Sequence, residues 1–244
     1  MPCRLHSKLS LPFMLSISLL LAACAASSTS TGVPQGNTTP ITSETLKTTY
    51  AGDATYYDAT GEGSCGGDPV SDLHVAALAA PSWNAAAFCG ACADVKGPTG
   101  KHTFVRIVDM CPECLNASLD MGRPAFSDLD ELSVGRVPIT WRLANCPVTG
   151  PLNYFVVSGS SQYWIGIRVR NHRVPVASLE LEVGGAFVKL ERKQWNDFVL
   201  PSGTKTDGAF RVRATSWAGE VLVDTLPGPR ASTTFQGAQN FSPM

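Results

Sequence analysis

The sequence predicts an all-β protein, a small β-barrel followed by a β-sandwich, and three observations carry that prediction. Apolar runs are short and end in glycine or proline, as at Gly97-Pro98-Thr99-Gly100 and Gly184-Gly185, which is the punctuation of hairpins rather than of long helices. In the second half, apolar and polar residues alternate, the period of strands with one wet face. Beyond Cys3 and Cys24, every cysteine lies between Cys65 and Cys146, a density that suits a small core held by staples. The 244 residues leave room for two modest domains. We divide the chain into an export segment (1–24), a linker (25–48), the barrel (49–147), the sandwich (148–230) and a tail (231–244).

The first stretch serves export. Arg4 and Lys8 precede an apolar run from Leu9 to Ala23 that is too short for a comfortable membrane span. Leu21-Ala22-Ala23-Cys24 resembles a bacterial lipobox, which makes Cys24 the candidate lipidation site, with simple cleavage and release as the alternative. Ala25 rather than an aspartate follows Cys24, so the pattern implies sorting to an outer membrane where the host has one. Either route puts the protein outside the cytoplasm, secreted or lipid-anchored at the cell surface. From Ala25 to Thr48 the chain is mostly Ser, Thr, Gly, Pro and Asn and reads as a flexible tether.

In the barrel unit, Gly52-Asp53-Ala54-Thr55-Tyr56-Tyr57-Asp58 reads as a strand entering a loop that Gly61, Gly63, Gly66 and Gly67 make pliable. Ala76 to Ala87 is alanine-rich and is expected to form one short helix. Ala93-Asp94-Val95 and Thr103-Phe104-Val105-Arg106-Ile107-Val108 flank a Gly-Pro turn as a hairpin, with Asp109 where the second strand ends. Cys111-Pro112-Glu113-Cys114 then forces a tight loop. Asp120 follows between Leu119 and Met121, whose burial would hold its backbone against the core. Pro124, Ala125, Phe126, Leu129 and Leu132 suit a short helix with proline in its first turn. Val137 to Leu143 returns as a strand.

Cysteine spacing is ambiguous by itself. Cys89-x-x-Cys92 and Cys111-x-x-Cys114 fit a four-cysteine zinc site. The export segment, and Cys65 and Cys146 left over, favour disulfides instead. Connectivity does not follow from spacing; a Cys92–Cys146 bridge would close a loop long enough to stabilise by roughly 4 kcal/mol in the chain-entropy model. His74, His102 and His172 are scattered, so neither a metal nor an organic cofactor is expected. The formal net charge of −1 hides a split. Tyr50 to Pro147 holds twelve acidic against six basic residues, and Val148 to Arg230 seven against ten, which suggests two modules with different partners. No stretch has the dense Lys/Arg patch of a nucleic-acid footprint.

In the sandwich unit, Leu179, Leu181 and Val183 alternate, Gly184-Gly185 turns, and Ala186 to Leu190 runs back. Phe210 to Ala214 and Val221 to Val223 form a second hairpin around Ala218-Gly219. Tyr163, Trp164 and Trp195 lack an obvious core role. Trp164 shares strand parity with Arg168 and Arg170 and should point outward, opposite Ile165, Ile167 and Val169. Tyr163 has the wrong parity and joins that face only if the chain bends before the strand. Exposed rings in a line suit a glucan chain, whose C–H faces stack on them while its hydroxyls stay wet. Pro147-Val148-Thr149-Gly150-Pro151 joins the units and should limit their independent motion.

Ala54-Thr55-Tyr56-Tyr57, Gly63-Ser64-Cys65-Gly66, Cys89-Gly90-Ala91-Cys92, Val105 to Cys114, Leu119-Asp120 and Val137 to Trp141 resemble, in order and spacing, the six-stranded double-psi β-barrel of microbial expansins. Gly159 to Trp164 and Ile167 to Pro175, with Asn171-His172, look like the second expansin domain, an immunoglobulin-like β-sandwich that binds polysaccharide. The resemblance runs from Tyr50 to Pro227. It implies a monomer that binds cellulose and associated plant cell-wall polysaccharides and loosens the wall without hydrolysis. It also implies Asp120 as the required acid, Thr55, Tyr56 and Asp109 as groove residues, and Tyr163, Trp164 and Trp195 as the binding face. Val157 stands where some relatives carry lysine, leaving Arg168 and Arg170 as the cations for acidic polymers.

The barrel is also similar to inverting family 45 endoglucanases. Those need a general acid and a base about 6.5–9.5 Å apart. Here Asp120 would be the acid and Asp58 the base, with Asp53 and Asp109 as further candidates. Two other readings are a lytic transglycosylase acting on peptidoglycan and a pure carbohydrate-binding protein with an inert barrel.

Overall fold

The computed structural model describes residues 43–200 and 208–244. The export segment, the Cys24 lipidation site and most of the linker lie outside the described residues. Within the linker's last residues, Leu46 on a 3-10 turn over Thr45–Lys47 already packs against the barrel core, so the folded unit begins before residue 49.

Six strands close the barrel: β1 (Thr49–Tyr57), β2 (Val75–Ala79), β3 (Cys92–Lys96), β4 (His102–Cys111), β5 (Leu119–Gly122) and β6 (Val137–Ala144). Their order around the barrel is β1-β5-β2-β4-β3-β6, and β1 with β5 and β2 with β4 run parallel. This is the double-psi barrel that the resemblance implies. The expected hairpin joins β3 to β4, and β4 continues through Asp109 to Cys111. Along β6, Val137, Ile139, Trp141 and Leu143 are buried while Pro138, Thr140 and Arg142 are exposed, the alternation of a strand with one face on a core. Trp141 stacks on Tyr50 at 4.1 Å and its indole N–H donates to Ala117 O at 2.7 Å. The expected helix, α1 (Arg123–Leu129), has proline in its first turn and buries Ala125, Phe126 and Leu129.

The alanine-rich stretch is not a helix. Val75–Ala79 is β2, buried along its whole length between β4 and β5. Alanine's helix propensity is a weak prior that pairing with β4 and β5 overrides. Pro81 then sits in a 3-10 turn, and Asn84, Ala85 and Ala86 take positive φ, which no right-handed helix can contain.

Among the described residues, nine strands build the sandwich. β7 (Asn153–Val156), β8 (Gly166–Arg170), β11 (Glu191–Arg192), β12 (Phe198–Val199) and β15 (Thr233–Gln236) form one sheet; β9 (Val176–Val183), β10 (Ala186–Lys189), β13 (Phe210–Ser216) and β14 (Val221–Leu226) form the other. Both expected hairpins are present, β9 with β10 and β13 with β14. The stretch after Arg230, treated as a tail, is part of this fold: β15 pairs with β7 and Phe241 is fully buried in the sandwich core.

The six barrel cysteines pair as Cys65–Cys89, Cys92–Cys146 and Cys111–Cys114. The two domains meet along a seam much wider than the prolyl connection. Trp217 of the sandwich packs into the barrel's core cluster, its ring edge-on to Phe88 at 5.0 Å. Trp83 Nε1 donates to Gln194 O at 3.0 Å, and Cys146 N to Arg173 O at 2.9 Å. Arg192, buried, reaches Ala86 O at 3.2 Å across the seam and Val176 O within the sandwich.

Candidate functional site

Register alone assembles a row of side chains on the outer face of the barrel. Thr55 on β1 is the partner of Asp120 on β5, Asp120 is the partner of Ala77 on β2, and Ala77 is the partner of Asp109 on β4. Paired residues share a face, so four adjacent strands present Thr55, Asp120, Ala77 and Asp109 in line. A register shift between Ala76 and Ala77 skips Val108 and brings Asp109 into that line. The two acids stand two strand spacings apart, about 10 Å between backbones. Ala77 leaves a low floor between them, a role that its sequence context did not signal.

Asp120 is half-buried, and Thr55 Oγ1 donates to its Oδ1 at 2.6 Å. Burial raises its pKa above the ordinary carboxylate value; the Thr55 hydrogen bond and the charge of Arg136 pull the other way and do not cancel it. Asp109 Oδ1 accepts from the Ser64 and Met110 amides at 2.7 and 2.8 Å. A side chain at Gly63 would lie 2.4 Å from Asp109 Cγ, so glycine lets the loop close on this carboxylate. Asp109 therefore holds a wall of the groove as well as facing it.

The two tyrosines separate by parity. Tyr56 faces the barrel interior, its ring 5.0 Å from Phe126 and beneath Arg123 at 4.8 Å. It is not brought together with Asp120 and Asp109. Tyr57, which the sequence reading passed over, faces the same side as Thr55 and packs on Ala59, Val75 and Val108. Burial, then the charges of Asp109 and Asp120, push its pKa up to about 12, and its hydroxyl has no hydrogen-bond partner among the described residues. Strand alternation after Thr55 was the available signal. Asp58 lies beyond the end of β1, exposed, with Arg123 Nε donating to it at 2.5 Å; that hydrogen bond and charge hold its carboxyl below the usual value. Asp53 is paired with Arg136 at 3.1 Å.

On the sandwich, Tyr163, Trp164 and Trp195 are 69%, 41% and 55% exposed, far above the core aromatics. Tyr163 lies in a tight turn in which Ser161 N donates to Trp164 O at 2.7 Å. The chain therefore does bend before β8, and strand parity does not apply to Tyr163. Trp164 covers Gly166, where a Cβ would meet its ring at 3.1 Å. Trp195 sits in a turn closed by Lys193 N to Asp197 O at 2.8 Å and hydrogen-bonds Asp197, which Arg168 of β8 also holds. Trp164 and Trp195 are thus both tied to β8, through Gly166 and through the Asp197–Arg168 pair, while Tyr163 is exposed in the turn before it. Arg168 and Arg170 are not free for acidic polymers as expected. Arg168 is taken by Asp197 and Gly66 O, and Arg170 by Asp68 at 2.8 Å and Gly66 O at 2.9 Å. Val157 is buried rather than on the binding surface.

A family model described as lytic transglycolase matches residues 75–141, from β2 into β6. Expansin-YoaJ of Bacillus subtilis (strain 168) is 37% identical over 188 residues, covering 73% of this chain and 78% of that protein. Expansin-A26 of Oryza sativa subsp. japonica is 33% identical over 220 residues, 78% of this chain and 71% of that one. The apo crystal structure of a Clavibacter michiganensis expansin superposes with a TM-score of 0.71 at 30% identity, covering 81% of this chain and 100% of that one. A mutant of the same expansin, in complex with cellohexaose, matches with a TM-score of 0.71 at 29% identity. Matches of this extent take in barrel and sandwich together, and with the acidic row and the exposed rings in place the chain belongs to the expansin family.

Proposed function

We propose that the protein binds cellulose on the ring-bearing face of the sandwich and loosens plant cell-wall polysaccharide through the barrel groove, without hydrolysis. The observation that carries this is the row Thr55, Asp120, Ala77 and Asp109, an open floor with one half-buried acid at its centre. A glucan lying in that row meets Asp120 as a hydrogen-bonding group able to compete for hydroxyls that otherwise bond neighbouring chains. The cellohexaose complex of the Clavibacter relative supports a β-glucan as ligand. Asp58, the first candidate for a hydrolytic base, is engaged by Arg123 and ionised in an exposed position, which does not suit a base in the groove. The protein acts on a polymer outside the cell, and we assign residues 1–24 to its export, with a lipid on Cys24 as the anchored form.

One observation favours a second reading. Asp109 and Asp120 flank Ala77 on one face, and side chains reaching toward each other from this spacing fall within the separation of an inverting pair. Asp109 would then be the base, although both amide contacts fall on its Oδ1. Creep of heat-inactivated plant walls and reducing-sugar release from amorphous cellulose, run on one preparation, separate the two. Creep without sugar, lost in Asp120→Ala while cellulose binding persists, is the expected result. Sugar release that disappears in both Asp120→Ala and Asp109→Asn would make the protein an endoglucanase.

A further inference from the structure

Between the domains the seam opens into a cavity of about 240 Å³. The barrel contributes Arg106, Val108 and the loop from Gly61 to Val70, and the sandwich contributes Arg168, Arg170 and His172. Arg168 and Arg170 are already engaged, as described above. Arg106 is not: it is half-buried on β4 and its backbone amide bonds His74 O, but its guanidinium makes no hydrogen bond or ion pair among the described residues. The acid whose charge acts on it is Asp72, whose carboxylate is held by His74 at 2.7 Å. His172 adds no charge, since burial, reinforced by the charges of Arg106 and Arg192, pushes its imidazole down to about 3. Of the three guanidiniums about the cavity, Arg168 is thus paired with Asp197 and Arg170 with Asp68, whereas Arg106 feels only the charge of Asp72, itself held by His74.

A guanidinium offers a planar fork of donors and no acceptor, and one withdrawn from water without a partner is costly. One open guanidinium fork matches a monoanion better than a dianion. Val70 and Val108 supply apolar wall on which the C–H face of a ring can rest. The volume lies below the roughly 300–1,000 Å³ of pockets for larger ligands, so it suits one ring and not a chain. The loop that walls the cavity also carries Ser64, bonded to Asp109, and Gly66, bonded to Arg168 and Arg170. The cavity thus adjoins both the acidic row and the ring-bearing face.

We propose that this interdomain cavity binds one carboxylate-bearing sugar, a uronate residue of an acidic wall polysaccharide, with Arg106 gripping the carboxylate. The choice of a sugar acid rests on the reading of the protein as a wall-polysaccharide binder; the anion site itself rests on the cavity.

The test is an NMR titration of the purified protein with methyl glucuronoside, following the Arg106 Nε–Hε and His172 ring signals. Saturable binding is expected for the wild type, with at least tenfold weaker binding for Arg106→Gln and for the methyl ester of the same sugar. Arg106→Lys, which keeps the charge and loses the fork, should fall between, and it decides the matter with the ester if Arg106→Gln does not fold. Absence of saturation in the wild type, or equal binding by Arg106→Gln, overturns the proposal, and tighter binding of inorganic phosphate than of glucuronoside overturns the sugar assignment. Retention on cellulose is measured on the same samples and is expected to be unchanged by Arg106→Gln. A protein that binds the glucuronoside but not cellulose would support this cavity and overturn the platform reading alone.

Discussion

Asp120 is the side chain whose surroundings most directly set what the groove can do. Burial raises its pKa, and Thr55 opposes that by donating to the ionised form. Removing the donor leaves burial less opposed, so Thr55→Val is expected to move the Asp120 titration further up, read as the pH dependence of its side-chain carbon shift. A downward move would show that Thr55 acts through packing instead. The stability consequence has a definite sign. A carboxyl whose folded pKa is raised binds its proton more tightly when folded, so ionisation opposes folding. That opposition is absent below the ordinary carboxylate value and grows as pH rises through the folded value. Asp120→Asn should therefore raise Tm relative to wild type at pH 7 and lose that advantage in acid. A Tm difference that does not grow with pH would refute burial as the dominant influence. At this scale the sequence singles out Asp120 and Asp109 by their apolar neighbours and Thr55 and Tyr56 by resemblance, and strand register then places Thr55, Asp120 and Asp109 on one face while Tyr56 turns to the interior and Tyr57 to the side of Thr55.

Short elements explain where sequence patterns served and where they did not. The hairpins at Gly97–Gly100 and Gly184-Gly185 were legible because turn chemistry is local. Strand β2 was not, because five small apolar residues carry no period and only parallel pairing with β4 makes them a strand. The turn at Ser161–Trp164 resolves a parity conflict that alternation could not, placing Tyr163 outside the strand. The rings themselves give an expectation at this scale. Trp164→Ala combined with Trp195→Ala should weaken retention on cellulose at least tenfold, about 1.4 kcal/mol, while leaving the dispersion of the barrel's NMR signals intact. Unchanged retention would remove the sandwich face from the mechanism.

Across the whole molecule, two devices hold the fold together, one within the barrel and one between barrel and sandwich. The Cys92–Cys146 disulfide spans 54 residues and ends beside the connection, where Cys146 N bonds Arg173 O. Its removal by paired Cys→Ser changes should cost about 4 kcal/mol in the chain-entropy model, against about 2 kcal/mol for the short Cys111–Cys114 loop. Denaturant unfolding of the two double variants checks the ranking. The seam is the second device: Trp217 in the barrel core and Arg168, Arg170 and Arg192 reaching barrel carbonyls. Calorimetry of the intact protein is expected to show one cooperative transition. Two resolved transitions would mean that the domains unfold independently.

By itself the sequence determined the class of fold, the two units, the cysteine-stapled barrel and the turn-defined hairpins, because period and turn residues are local properties of the chain. Only the tertiary structure decided which cysteines pair, that the last residues close the sandwich, and that Arg168 and Arg170 brace a barrel loop instead of facing solvent. It alone placed Ala77 between two acids from different strands and left Arg106 unpaired in a cavity shared by both domains. Each of these depends on contacts between residues far apart in the chain, fixed by strand register and domain packing, and no local pattern encodes them.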